Sequence, residues 1–164
     1  MYIFETSKKT KSMSEEIEKV ELRQLNIDDY QELRTTEEEA YRNWEGPAWD
    51  EQNIRTLLDI FPEGQLAVLV NDKVVGCALS LIVNYERFGD EHSYNEITGN
   101  MTFSTHNPRG DILYGIDIFI RPEYRAYDWD ADSTTHAKSC ANILTLRELY
   151  LAVAFPTTTR YRKR

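Results

Sequence analysis

Asp117 stands in the middle of an apolar run, "LYGIDIFI", between Ile116 and Ile118. Aspartate is depleted in strands and costly to bury without a partner, so its presence needs a reason. Three readings stand side by side: a general base or the holder of a water that is one, a residue on a wetted strand face, or a paired structural carboxylate. Tyr114 and Tyr124, nearby, read as packing residues with a hydrogen-bonded tip. His92 and His106 fall in a long polar segment, with no Ser, Cys or carboxylate spacing that implies a triad or a metal site. They read as surface-loop histidines. Cys77 and Cys140 are the two cysteines, far apart and in no metal-ligand spacing, so neither a disulfide framework nor a metal centre is expected and a reducing cytoplasm fits.

The chain around these residues has 164 residues, enough for one domain with a sizeable core. Its net charge of −9 argues against nucleic acid and against an anionic membrane surface, since both draw on clustered Lys and Arg. No run approaches the apolar length of a membrane-spanning helix, and "MYIFETSKKTKS" has its apolar residues ahead of its lysines, the wrong order for a secretory signal. Charge is unevenly spread. Residues 1–125 carry 24 acidic and 13 basic side chains, whereas residues 126–164 carry 4 and 6, and all 7 glycines lie at or before Gly115. The two parts differ in kind.

The elements that must position Asp117 are legible in outline. Residues 1–13 are polar and lack periodicity, and read as a flexible tail. "VELRQL" alternates apolar and polar residues from Val20 to Leu25, as a half-buried strand does. Asn26 then offers a cap to a first helix carrying Tyr30, Leu33 and Tyr41, and "GPAW" breaks it. A second helix over "DEQNIRTLLDIF" places Ile54, Leu57, Leu58 and Phe61 on one face and ends at Pro62. "QLAVLVNDKVVGCALSLIV" is a hairpin with "ND" at its turn. Residues 84–111 form a long excursion, with a short helix expected in "DEHSYNEI", before the strand that holds Asp117.

At "IFIRPEYR" the chain resembles the GNAT superfamily of acyl-CoA-dependent N-acetyltransferases, whose fourth strand ends in a Pro-x-Tyr-Arg-like exit. More narrowly, "VELRQL", "LLDIFPEGQLAVLVNDKVVGCALSLIV" and "LYGIDIFIRPEYR" resemble the acetyltransferase-like domain that precedes a nitrilase-type carbon-nitrogen hydrolase in certain long chains. The resemblance covers residues 14–125. It implies an incomplete α/β GNAT fold: a mixed, mainly antiparallel sheet of about four strands in the order β-α-α-β-β-β, with flanking helices. It also implies acetyl-CoA as donor, an amine as acceptor, and a carbon-nitrogen hydrolase domain as a partner. Phe119 and Ile120 match the positions whose main-chain amides hold the acetyl carbonyl and pantetheine arm. Arg121 and Arg125 are the basic residues left near the donor's phosphates. The superfamily's general-acid tyrosine would come from beyond residue 125, and the excursion lies where the acceptor binds.

In the superfamily this exit feeds a loop of the form (Arg/Gln)-x-x-Gly-x-(Gly/Ala), whose amides turn toward the diphosphate of CoA. Here Arg125 is followed by "AYDWDADSTT", with Asp128, Asp130 and Asp132 where an anion should bind. The genetic code explains the change. Joining the third base of each codon to the first two of the next makes Asp128 with Trp129 Leu, and Trp129 with Asp130 Gly. Neither has an alternative. The preceding codons permit the rest of "GLRLG", in register with Arg125. A one-base frameshift near codon 125 is expected, with residues 126–164 a non-native tail that forms at most one helix.

Overall fold

The computed structural model describes residues 2–8, 17–42, 46 and 48–124. The expectations for Arg125 and for residues 126–164 lie outside them. Five strands form one sheet in sequence order: β1 (Tyr2–Lys8), β2 (Ile17–Gln24), β3 (Leu66–Val70), β4 (Lys73–Val83) and β5 (Ile112–Ile120). Every pairing is antiparallel. The mainly antiparallel sheet with flanking helices is the one expected, and one expectation is corrected: Tyr2–Lys8 is an edge strand rather than a loose tail, running from Tyr2 opposite Leu22 to Lys8 opposite Ile17. The physical reason is that ladder bonds are made by main chain. Without β1 that flank of β2 would be a bare row of donors and acceptors, and side-chain periodicity is not needed to fill it.

The other elements follow from local chemistry. Asn26 and Asp29 form a reciprocal capping box on the short 3-10 turn Ile27–Asp29, which opens α1 (Tyr30–Ala40). The Asp29 carboxylate also receives both terminal nitrogens of Arg23, at 2.6 and 2.8 Å. This pins α1 to β2. Asp50 caps α2 (Glu51–Ile60) by accepting from the Asn53 amide at 2.7 Å. The β3–β4 turn is two residues long, with φ of 48° at Asn71 and 65° at Asp72. Both are left-handed, the twist that joins two adjacent strands in a tight hairpin and that Asn and Asp tolerate.

A register shift between Leu79 and Ser80 leaves Ile116 of β5 without its own partner, since Leu79 faces Asp117 and Ser80 faces Gly115. This is a β-bulge. The core lies on one face of the sheet, where Leu33 of α1 and Ile54 and Leu57 of α2 meet Leu79, Leu81 and Val83 of β4. Ile97 and Phe103 of the excursion join them there. The excursion contains the short helix α3 (Tyr94–Thr98), capped by Ser93 and Glu96. It closes on the end of β4 through Asn107 N–H to the Ile82 carbonyl at 2.8 Å and Asp111 N–H to the Val83 carbonyl at 3.1 Å.

Candidate functional site

β5 carries the site because its bulge sorts its side chains. Tyr114, Ile116 and Phe119 turn to the core face with the helices, and Asp117 meets side chains from that same side. Ile118 points the other way and is 68% exposed. Asp117 is half-buried and each of its oxygens has a donor: Tyr41 Oη–H to Oδ1 at 2.7 Å, and Trp49 Nε1–H to Oδ2 at 2.8 Å. Of the sequence readings, the paired carboxylate describes these contacts. Trp49 is held in turn. Its amide donates to both oxygens of buried Glu37, at 3.1 and 3.2 Å, and its ring stacks on Phe103 at 6.1 Å.

Phe103 reaches that position from a loop in which Asn100, Met101 and Phe103 all have positive φ, of 54°, 64° and 57°. For a bulky residue such as Phe this is a costly conformation, sustained by surrounding packing. Asn53 of α2 supports it by donating to the Met101 carbonyl at 3.1 Å. The strain therefore sits one contact from the tryptophan that fixes Asp117.

Main-chain direction along β5 follows from one bond. Arg121 N–H donates to the Val75 carbonyl at 2.8 Å, so residues 121, 119 and 117 turn their backbone groups toward β4 and residues 120 and 118 turn theirs outward. Ile120 accordingly turns its backbone outward. Phe119 does not. Its amide faces β4, and its buried ring lies 5.9 Å from that of Tyr41. Ile118, which the sequence reading passed over, is the second outward-facing position. Arg121 is also differently placed from a phosphate ligand: its Nε donates to Thr36 Oγ1 at 3.0 Å and lies 3.4 Å from Glu39, which ties the side chain to α1.

The other end of the strand holds a second polar group. His92 Nδ1 faces the Gly89 carbonyl, which can only accept, so Nδ1 carries the proton. That leaves the Nε2 lone pair for the Tyr114 hydroxyl, 3.0 Å away. The rings of Tyr85, Phe88 and Tyr114 surround the imidazole with centroids at 5.5, 6.3 and 5.4 Å. His92 is therefore no free loop residue. His106 is structural as well: its Nδ1 accepts from Ile82 N–H at 3.3 Å and its ring stacks on Phe61.

Electrostatics link the two ends. The Tyr94 hydroxyl is pushed up to about 12 by burial and next by the charge of Asp117, with Tyr114 and Glu37 adding to it. Burial also raises Glu37, against the pull of the Trp49 amide. Cys77 is driven well above the usual thiol range by burial and then by Asp117 and Glu37, so it is an inert core thiol. Among the described residues no three His, Cys, Asp or Glu side chains gather as a metal site would require, and no helix is long and apolar enough to cross a membrane.

No protein-family model matches the chain. It is 35% identical over 77 residues to the uncharacterized N-acetyltransferase YkwB of Bacillus subtilis, covering 47% of this chain and 34% of that protein. It is 27% identical over 113 residues to the probable hydrolase YhcX of the same organism, covering 69% of this chain and 22% of that protein. The chain thus spans about a third and about a fifth of these relatives. Two solved structures share its fold. The loading GNATL domain of CurA from Lyngbya majuscula matches with a TM-score of 0.54 and 19% identity, over 77% of this chain and 57% of that one. The GphF GNAT-like decarboxylase, solved in complex with isobutyryl-CoA, matches with a TM-score of 0.55 and 17% identity, over 81% and 58%. The fold is GNAT-like, an antiparallel sheet with flanking helices.

Proposed function

We propose that this chain is a GNAT-type acyltransferase domain that presents an acyl-CoA, acetyl-CoA in the first instance, to an amine along the outer edge of β5. One observation carries the reading: the Ile116 bulge and the Arg121–Val75 bond together aim the backbone of Ile118 away from β4. An outward amide at such a kink suits a thioester carbonyl, whose oxygen gains charge as an amine attacks. The likeness to YkwB and to a structure holding isobutyryl-CoA supports an acyl-CoA donor. The residues present fit the acyl end of that donor. They fit its phosphate end poorly, because Arg121 is tied to α1 and "AYDWDADSTT" supplies three aspartates and no glycine after Arg125.

The chain as written therefore holds acetyl-CoA weakly, and restoring "GLRLG" with its downstream frame recovers binding. Calorimetry on the two proteins tests this. Micromolar affinity in the unrestored chain removes the loop argument, and no binding in either removes the acyl-CoA reading. A second reading, a non-catalytic interaction or regulatory module of a carbon-nitrogen hydrolase, is favoured by the match to YhcX over 69% of the chain. Sequencing the locus around codon 125 separates them. A lost base followed by a hydrolase frame supports the shared ancestry, and an undisturbed frame supports a divergent protein of its own.

A further inference from the structure

The geometry points to the Tyr114–His92 pair as the group that takes the proton from the attacking amine, with Asp117 in a positioning role; this rests on the acyltransferase reading above. Both Asp117 oxygens are already bound, to Tyr41 and Trp49, and those bonds fix the wall of the site. His92 is arranged differently. A carbonyl holds Nδ1–H, which fixes the tautomer, and the free lone pair of Nε2 is aimed at an ionisable hydroxyl at 3.0 Å. That is the pattern of a base oriented by a third group. Tyr114 lies on the same strand as Asp117, two residues before the Ile116 bulge, and its side chain packs on the same face.

The step balances without any further reagent. The amine nitrogen forms a bond to the acyl carbon, and its N–H proton passes to Tyr114 Oη while the Tyr114 proton passes to His92 Nε2. The carbon–sulfur bond breaks, the electron pair leaves on the thiolate, and the proton returns through Tyr114 to sulfur. The products are an amide and a free thiol, and the pair is restored.

The test uses the full chain with 4-nitrophenyl acetate as an acyl donor that needs no CoA site, 2-phenylethylamine as acceptor, and acetyl-CoA as a parallel donor. His92→Gln and Tyr114→Phe are each expected to lower kcat about a hundredfold with little change in KM, the range for a lost general base. The double variant is expected to be no slower than either single one, because the two act as a unit. Nitrogen NMR of the unmodified chain is expected to show His92 as the Nδ1–H tautomer. Should His92→Gln fail to fold, Tyr114→Phe keeps the ring and is read instead.

An Nε2–H tautomer, unchanged variant rates, multiplicative losses, or no acceleration of ester aminolysis overturns the pair. Ester aminolysis that depends on His92, with no acetyl-CoA binding even after "GLRLG" and its downstream frame are restored, leaves the pair standing and removes only the acyl-CoA reading. Acetyl-CoA turnover indifferent to His92 removes the pair alone.

Discussion

The two halves of β5 hold their polar groups in opposite ways. Beyond the bulge, Asp117 and Arg121 are tied to residues on α1 or just after it: Tyr41, Trp49, Thr36 and Glu39. These are fixed charges with their directions saturated. Before the bulge, Tyr114 meets a single imidazole supplied by the excursion, through one bond along which a proton can move. A strand buried against helices and one covered by a loop thus give different chemistry. The helix side builds rigid electrostatics, and the loop side builds exchangeable hydrogen. One bulge is enough to put both on the same face.

The largest way to break this contrast is to empty its fixed end. Asp117→Ala leaves the Trp49 indole N–H and the Tyr41 hydroxyl without their acceptor. Trp49 is only 5% exposed, so water does not readily replace the carboxylate. Leaving such donors unsatisfied is expected to cost about 3 kcal/mol, read as a fall in the denaturation midpoint at constant slope. Asp117→Asn, which keeps an acceptor oxygen for one donor, is expected to cost less than half of that. Equal losses would show that the charge matters and the hydrogen bonds do not.

At the loop-held end the sharpest point is Gly110, which brings the excursion back onto β4. A Cβ there would lie 2.6 Å from both the carbonyl carbon and the oxygen of Val83, main-chain atoms that cannot rotate away. Gly110→Ala is expected to cost about 2 kcal/mol through overpacking and to loosen the Asp111–Val83 bond. Hydrogen exchange should show faster opening of Ile112–Tyr114 with Asp117–Phe119 little changed. Loosening that spreads evenly along β5 would erase the distinction between its halves.

The sequence made some of this visible and hid the rest for physical reasons. The hairpin was legible because its turn chemistry is local: Asn71 and Asp72 tolerate the left-handed conformation they adopt. Asp117 stood out because a carboxylate among isoleucines must be accounted for, although its partners on and after α1 lie 76 and 68 residues away and could not be named. The bulge was missed, and with it the outward turn of Ile118, because "GIDIFI" reads as plain alternation. Gly115 was the available signal, since a glycine inside a strand often marks a bulge. His92 was read as a loop residue because its environment is assembled by a turn at Gly89, with φ of 69°, and by a strand 22 residues on. β1 was lost because it is defined by main-chain pairing alone.

Smaller effects sharpen the comparison. Tyr41→Phe removes one donor from Asp117 and leaves Trp49 in place, with an expected cost of about 1 kcal/mol by thermal melting. A cost as large as that of Asp117→Ala would mean that Tyr41 alone holds the carboxylate.

The smallest effect is a pH dependence from the loop-held side. Burial lowers the His106 pKa below its ordinary value of 6.5. As pH falls below about 6.5 the unfolded chain takes up a proton that the folded chain still refuses, so folding stability falls with pH. The decline continues until the folded imidazole is itself protonated, at which point its bond from Ile82 N–H is also lost. Above pH 6.5 both states are neutral at His106 and the residue contributes no slope. Asp29 acts at lower pH: burial alone would raise it, but Arg23 and the Asn26 amide bring it below the ordinary carboxylate value of 3.8, so its contribution is lost only as pH falls through that range. Denaturant melts of the unmodified chain and of His106→Gln between pH 7 and pH 5 should therefore converge as pH falls. Parallel curves would show that His106 titrates alike in the folded and unfolded states, and that the acid sensitivity of the loop-held half belongs to another group.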